Sequence, residues 1–188
     1  MVTPETSRRG LLSASALGIL LLAGCGGASG GRRSGQDLST LPAAPRAHDA
    51  AILNSALDRE HELIAAYTAG VPLLDEPGKL AAEQFLGQHL AHAGRLAGWI
   101  KRARAEPNKP LAAYPLSQPR TAGEMLATLH SLEAAMITAY LAAIPQLSPG
   151  KLRADTASIV ANEAQHAAVL ESVLGRAPAP LALVTGGG

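Results

Sequence analysis

Six residues that bind metals or move protons stand where a helix in a packed bundle would carry leucine: Glu60, His89, His92, Glu133, Glu163 and His166. The sharpest local pattern is Glu163-Ala164-Gln165-His166. Glu-x-x-His sets a carboxylate and an imidazole about one helical turn apart on one face, so both can reach one metal centre. An unpaired carboxylate in a core costs several kcal/mol, so each glutamate needs a partner. Two kinds of partner are open. One is a metal ion or pair of ions. The other is a set of buried acid–imidazole pairs in which His89, His92 and His166 satisfy Glu60, Glu133 and Glu163 without metal.

The elements that must position these residues are legible from apolar spacing. Residues 48–70 carry Leu53, Leu57, Glu60, Ile64 and Tyr67 at three- and four-residue steps, the period of a helix with one buried stripe. Residues 79–104 repeat the stepping with Phe85, His89, His92, Leu96 and Trp99, and Pro107 closes that helix. Thr121-Ala122-Gly123-Glu124 has the form of a capping box opening a third helix, with Met125, Leu129, Glu133, Ile137 and Tyr140 before Pro145. A fourth, 149–174, carries Ile159, Glu163, His166 and Leu170 and stops at Gly175. No segment alternates convincingly as a strand, so the chain is predicted all-α.

The first and third helices are related by an internal repeat. Glu60, Ile64, Ala66, Tyr67, Ala69, Pro72 and Leu74 align with Glu133, Ile137, Ala139, Tyr140, Ala142, Pro145 and Leu147. One residue further out of step, His92, Ala93 and Leu96 align with His166, Ala167 and Leu170. Two related helical hairpins follow. Between them, 105–120 contains Pro107, Pro110, Pro115 and Pro119, with Tyr114 as an anchor onto the bundle. At about 3.1 Å per residue such a stretch can run the roughly 30 Å length of a 20-residue helix. One long connection and two short ones is the topology of a crossover bundle, whereas an up-down-up-down bundle needs only short loops.

With these residues the chain resembles the ferritin-like superfamily of di-metal carboxylate four-helix bundles, in particular small exported bacterial members, over 48–175. The resemblance implies a ferritin-like antiparallel four-helix bundle with one long crossover between two repeated helical hairpins. It implies iron or manganese as cofactor, in a dinuclear site. Glu60 and Glu133 match the helices that give a single Glu, Glu163 with His166 matches one complete Glu-x-x-His, and His92 matches the histidine of the other. His89 stands where that second motif has its carboxylate, giving His89-Leu90-Ala91-His92. The substitution removes negative charge and moves metal preference toward zinc or copper relative to an all-Glu site. Tyr67 and Tyr140, each seven residues after its Glu, either hydrogen-bond the carboxylates from outside the ligand set or are plain core aromatics. His61 and His130 lie off the stripes and read as surface residues, His48 as solvated, and Glu62, Glu83 and Glu171 as solvated face charges. The basic run 101–104 complements the helix dipole.

The N-terminus carries a different message. Arg8 and Arg9 precede an apolar run over 11–23 that ends in Leu22-Ala23-Gly24-Cys25. The run is shorter than the roughly 20 residues of a membrane span and reads as a signal peptide. Ser7-Arg8-Arg9-Gly10-Leu11-Leu12 resembles a twin-arginine signal, and the residues before Cys25 resemble a lipoprotein lipobox, in which Cys25 becomes the lipidated N-terminus. A general secretory signal and an uncleaved anchor are the alternatives. The expected organisation is a signal peptide at 1–24, a Gly/Ser/Pro tether at 25–47, the bundle at 48–175 and a tail at 176–188. The protein is expected outside the cytoplasm, on the outer face of the cytoplasmic membrane or in the cell envelope, with the membrane as its partner through the lipid.

Composition excludes several classes. With 16 Lys+Arg against 15 Asp+Glu there is no charge excess to hold nucleic acid. One cysteine makes neither an internal disulfide nor a Cys-type zinc site. No Ser/His/Asp or Cys/His nucleophile set and no nucleotide loop is visible, so a catalytic nucleophile is not assigned. Small core residues permit close helix packing within one chain or in a homodimer. Two functions follow: a metal-binding redox protein with oxidase or peroxide-consuming chemistry, or a non-enzymatic lipid-tethered bundle whose polar core fixes helix register.

Overall fold

The computed structural model describes residues 37–179 and 185–186, among which four long helices and three single 3-10 turns are the regular elements. The helices are α1 (Ala43–Gly70), α2 (Gly78–Arg102), α3 (Ala122–Ala143) and α4 (Gly150–Val173). The described residues contain no strand, as the periodicity predicts. Cys25, Arg8 and Arg9 lie outside the described residues.

Contacts at the helix ends fix the topology. The end of α1 meets the start of α3, where Met125 Cε stands 2.5 Å from where a Cβ on Gly70 would be; no side chain fits there without moving Met125. At the opposite end, the buried Asp49 of α1 accepts hydrogen bonds from the Ser148 backbone N (3.0 Å) and hydroxyl (3.2 Å), just before α4. So α1 runs antiparallel to α3 as well as to α2, which makes α2 and α3 parallel and demands a full-length crossover between them. That connection is tied to α1 by Asn108, whose backbone N donates to Asn54 Oδ1 (2.8 Å) and whose side chain donates to Asp58. Tyr114 is half-buried and lines a cleft with Ser55, Asp58, Arg59 and Glu62 of α1, while its hydroxyl accepts from Leu111 N within the crossover.

Local chemistry sets the boundaries. Thr121 caps α3 by accepting from Glu124 N at 3.2 Å, while the Glu124 carboxylate accepts from Arg120 N at 2.7 Å, one residue beyond the Thr121 N–H that a standard capping box uses. α2 ends at Arg102, two residues before the expected boundary, because Arg104 turns into the left-handed region (φ 59°) and Ala105 N bonds back to Ile100 O. α1 starts five residues before His48, and Leu38 and Leu41 ahead of it are buried, so the last part of the expected tether belongs to the bundle. Leu63, not Ile64, lies fully on the buried stripe of α1; the other expected stripe residues, Leu53, Leu57, Glu60 and Tyr67, are buried.

Candidate metal centre

Each helix delivers its polar stripe residue to mid-bundle. Glu60 from α1, His89 from α2, Glu133 from α3, and Glu163 with His166 from α4 are all buried at 0% exposure. His92, one turn after His89, retains 14% side-chain exposure. The six predicted residues therefore converge.

His89 lies between the two single glutamates. Its Nδ1 is 2.9 Å from Glu60 Oε2 and its Nε2 is 3.1 Å from Glu133 Oε1. Glu163 divides its carboxylate in a similar way: Oε1 is 2.9 Å from His92 Nδ1, and Oε2 is 3.1 Å from His166 Nδ1. The donors form two overlapping sets, Glu60/His89/His92/Glu163 and His89/Glu133/Glu163/His166, in each of which the ligating atoms lie within 4.8 Å of one another. Both tyrosines reach carboxylates across the α1–α3 interface, Tyr67 hydroxyl to Glu133 Oε1 at 2.5 Å and Tyr140 hydroxyl to Glu60 Oε1 at 2.7 Å. That settles the two readings of these rings in favour of the hydrogen-bonding one.

The electrostatics are those of carboxylates crowded out of water. Burial disfavours the charged form of His89, but hydrogen bonds to Glu133 and Glu60 and the charges of Glu133 and Glu163 outweigh it and raise the ring to about 10. Burial likewise opposes charge on Glu133, yet His166 and His89 hold it well below the usual carboxylate range. Glu163 goes the other way: burial and the neighbouring Glu133 charge push it up, against His166 and His92. Burial, and then the adjacent carboxylates, push both tyrosine hydroxyls well above their ordinary value. Even so, hydrogen bonding leaves donors over. Glu133 Oε2, Glu163 Oε1 and His92 Nδ1 are buried without an aligned partner, and the last two face each other at 2.9 Å. Buried carboxylate oxygens and imidazole nitrogens crowded this closely are what a cation satisfies, and at metal–ligand bonds of about 2.0–2.2 Å two carboxylate oxygens and two imidazole nitrogens make a chemically ordinary set for one divalent ion. The residues fit a metal.

A family model described as ferritin-like domain matches residues 48–176. This chain belongs to the ferritin-like family. Solved structures agree on the fold of this ferritin-like bundle. A conserved hypothetical protein from Mycobacterium tuberculosis superposes with a TM-score of 0.65 at 21% identity, covering 68% of this chain and 98% of that one. A structure described as ferritin-like, diiron-carboxylate proteins from Bacillus anthracis superposes at 0.61 and 22%, covering 69% and 97%. No curated protein matches the chain.

Two further residues of the ferritin-like centre are not assigned a functional role by the sequence pattern. Gln88 Oε1 stands 2.5 Å from His166 Nε2, fixing the face of the ring turned away from the carboxylates, and Phe85 stacks on the same ring at 4.1 Å between centroids. Phe85 carries only a core-stripe signal. Gln88 carries one usable signal, a polar residue one turn before His92. Two residues expected at the surface also move: His130 pairs with Glu171 at 2.9 Å, and Glu171, only 14% exposed, also pairs with Arg176, so neither is a simply solvated residue.

Proposed function

We propose that this ferritin-like protein is an exported lipoprotein of the cell envelope that binds iron or manganese, as a pair of ions, with its two donor sets, and uses them for oxidase- or peroxide-type redox chemistry. The observation that carries the metal reading is the buried Glu133 Oε2, which has no hydrogen-bond partner, inside two overlapping sets of carboxylates and imidazoles. Iron or manganese held by such ligands supplies one- and two-electron chemistry toward oxygen or peroxide. The chain's own contribution is placement: Tyr67 and Tyr140 orient the terminal carboxylates, Gln88 fixes the His166 tautomer, and the apolar bundle excludes water. Support for the envelope location is the sequence alone, Arg8-Arg9 and Leu22-Ala23-Gly24-Cys25.

The test is metal content of the full-length chain made in iron- and manganese-supplemented cells, alongside Glu163→Ala, which removes a donor from both sets. About two ions per chain, as in two-metal carboxylate bundles, falling to a small residue in the variant, supports the proposal; equal and negligible content in both sinks it. Membrane fractionation with Cys25→Ala tests the anchor: release from membranes or a retained signal supports it, and unchanged fractionation and N-terminal mass overturn it.

A second reading rests on His89. Held near 10 by two carboxylates, the ring is a cation at neutral pH when no metal is bound, and it compensates the buried glutamates from within. On that reading the core fixes helix register without metal. Negligible metal content in a stably folded chain decides for it.

A further inference from the structure

The two donor sets share only two residues, His89 and Glu163, and these occupy equivalent positions in the two hairpins: His89 is three residues before His92, and Glu163 is three before His166. Each gives one atom to each set. Glu163 turns Oε1 toward His92 and Oε2 toward His166; His89 turns Nδ1 toward Glu60 and Nε2 toward Glu133. A histidine that merely replaced a terminal ligand would present one nitrogen to the site and its other nitrogen to a backbone carbonyl or a carboxylate outside it. Here both ring nitrogens point into the centre, each facing a carboxylate of a different set, and the ring is fully buried.

We propose that His89 bridges the two metal ions through both ring nitrogens, standing opposite the Glu163 carboxylate bridge, so that this centre has one imidazole bridge and one carboxylate bridge. The inference rests on the metal reading above. Binding of both ions leaves His89 without a ring proton: the imidazolium that faces Glu60 and Glu133 in the metal-free chain gives up both of its N–H protons, and they go to solvent, as expected when metal binding displaces protons from ligands. The shape of the bridge has a consequence for the ions. The lone pairs of an imidazole ring diverge, and the Glu163 carboxylate meets the same two ions through the outer, diverging lone pairs of Oε1 and Oε2 rather than the inner, nearly parallel ones. Two bonds of about 2.0–2.1 Å added to a ring N···N separation of about 2.2 Å hold the ions about 6 Å apart. Two-metal hydrolytic and transfer sites, by contrast, hold their ions at about 3.5–4 Å. At the longer spacing the ions cannot share a one-atom bridge, and each acts as a separate centre with two carboxylates and two imidazoles.

The experiment loads the full-length chain with cobalt(II) alone and reads stoichiometry by mass spectrometry and the cobalt–cobalt separation by X-ray absorption. Two ions per chain with no cobalt–cobalt scattering in the range of about 3–4 Å typical of two-metal sites is the expected result. His89→Glu should keep two ions and bring that scattering in, because it supplies the second carboxylate bridge. His89→Gln, which offers a single oxygen donor, should reduce binding from two ions to one. Cobalt–cobalt scattering at the short distance in the native chain, or a single ion per native chain, overturns the bridge while leaving the metal reading standing. No cobalt in a chain with native helical circular dichroism removes the metal reading itself, and the bridge with it. Both of these outcomes are read on the native chain, so a variant that fails to fold does not block them.

Discussion

The two hairpins keep the same glutamates, tyrosines and distal histidines, but they treat those histidines differently. In the α3–α4 half, His166 is buried, with Gln88 on its Nε2 and Phe85 across its face. The equivalents of Gln88 and Phe85 around His92 are Asn162 and Ile159, and both line an open cleft of about 520 Å³ that also reaches His92, Arg95 and Asp155. A near-symmetric set of ligands thus sits in an asymmetric wall, one side sealed by an aromatic ring and an amide, the other facing solvent. The ligand positions are constrained by one another across the bundle. The wall positions are not, and apart from His89 standing at the position equivalent to Glu163 it is there that the halves differ. The open side is the one on which a site residue, His92, keeps contact with solvent.

The sharpest way to break the near-symmetry is to remove one terminal glutamate at a time from the metal-free chain. Glu133 accepts from Tyr67 and faces His89 and, at 3.3 Å, His166, whereas Glu60 accepts from Tyr140 and faces His89 and, at the longer 3.6 Å, His92. Breaking a buried charged pair by deleting one partner costs about 3–5 kcal/mol. Glu133→Ala should fall at the upper end of that range and Glu60→Ala nearer its lower end, as read by urea unfolding after chelator treatment. Equal losses, or a larger one for Glu60→Ala, would show that the closeness of the second histidine does not set the cost.

Much of this centre is legible in the amino-acid sequence alone, and the reason is physical. Charged residues at stripe positions contradict the apolar period that surrounds them, so Glu60, Glu133, Glu163 and His166 stand out from any solvated glutamate or histidine. The repeat ties the stripes into two hairpins, and the proline-rich stretch at 105–120 requires a crossover, so the topology follows as well. What stays hidden depends on contacts between residues distant in sequence. Gln88 meets His166 across 78 positions, and no local pattern announces that contact. Asn108 reaches Asn54 and Asp58 across 54 and 50 positions, which no local pattern announces either. The start of α1 is concealed because a Pro/Ala/Arg composition resembles a tether, although Leu38 and Leu41 find a hydrophobic surface to cover. Ile64 yields to Leu63 because a spacing of three or four leaves the helix face ambiguous by one residue.

A smaller perturbation sharpens the contrast between the walls. Gln88→Ala leaves His166 Nε2 without its partner and opens the sealed side while sparing every donor in the two sets. The expected loss is about 0.5–1.5 kcal/mol, that of one hydrogen bond, together with faster removal of bound metal by a chelator. Asn162→Ala, at the equivalent place on the open side, should leave the removal rate nearly unchanged. If the two variants release metal equally, the sealed wall has no role in retention.

The smallest effect belongs to the rim of the open cleft. There Asp155 accepts from Arg95 Nε (3.0 Å) and Trp99 Nε1 (2.9 Å) and lies 3.5 Å from Lys151 Nζ, while its counterpart in the first hairpin is Ala81. Burial opposes its charge, but the hydrogen bonds from Arg95 and Trp99 and the charges of Arg95 and Lys151 prevail and lower its pKa below 3.8. A carboxyl whose folded pKa lies below its unfolded one contributes stability above the unfolded value and loses it as pH falls through the folded one. Arg95 and Lys151 are more than half exposed, so solvent and salt screen the cluster and the contribution stays below about 1 kcal/mol. Asp155→Asn should therefore lower stability slightly at pH 7, with the difference from the native chain shrinking as pH falls below 3.8 and shrinking in high salt. Urea midpoints at pH 7 and pH 3, each at low and high salt, check this. A difference that persists undiminished at pH 3 would assign the effect to the Trp99 indole contact rather than to charge, and the rim of the cleft would then be held by packing alone.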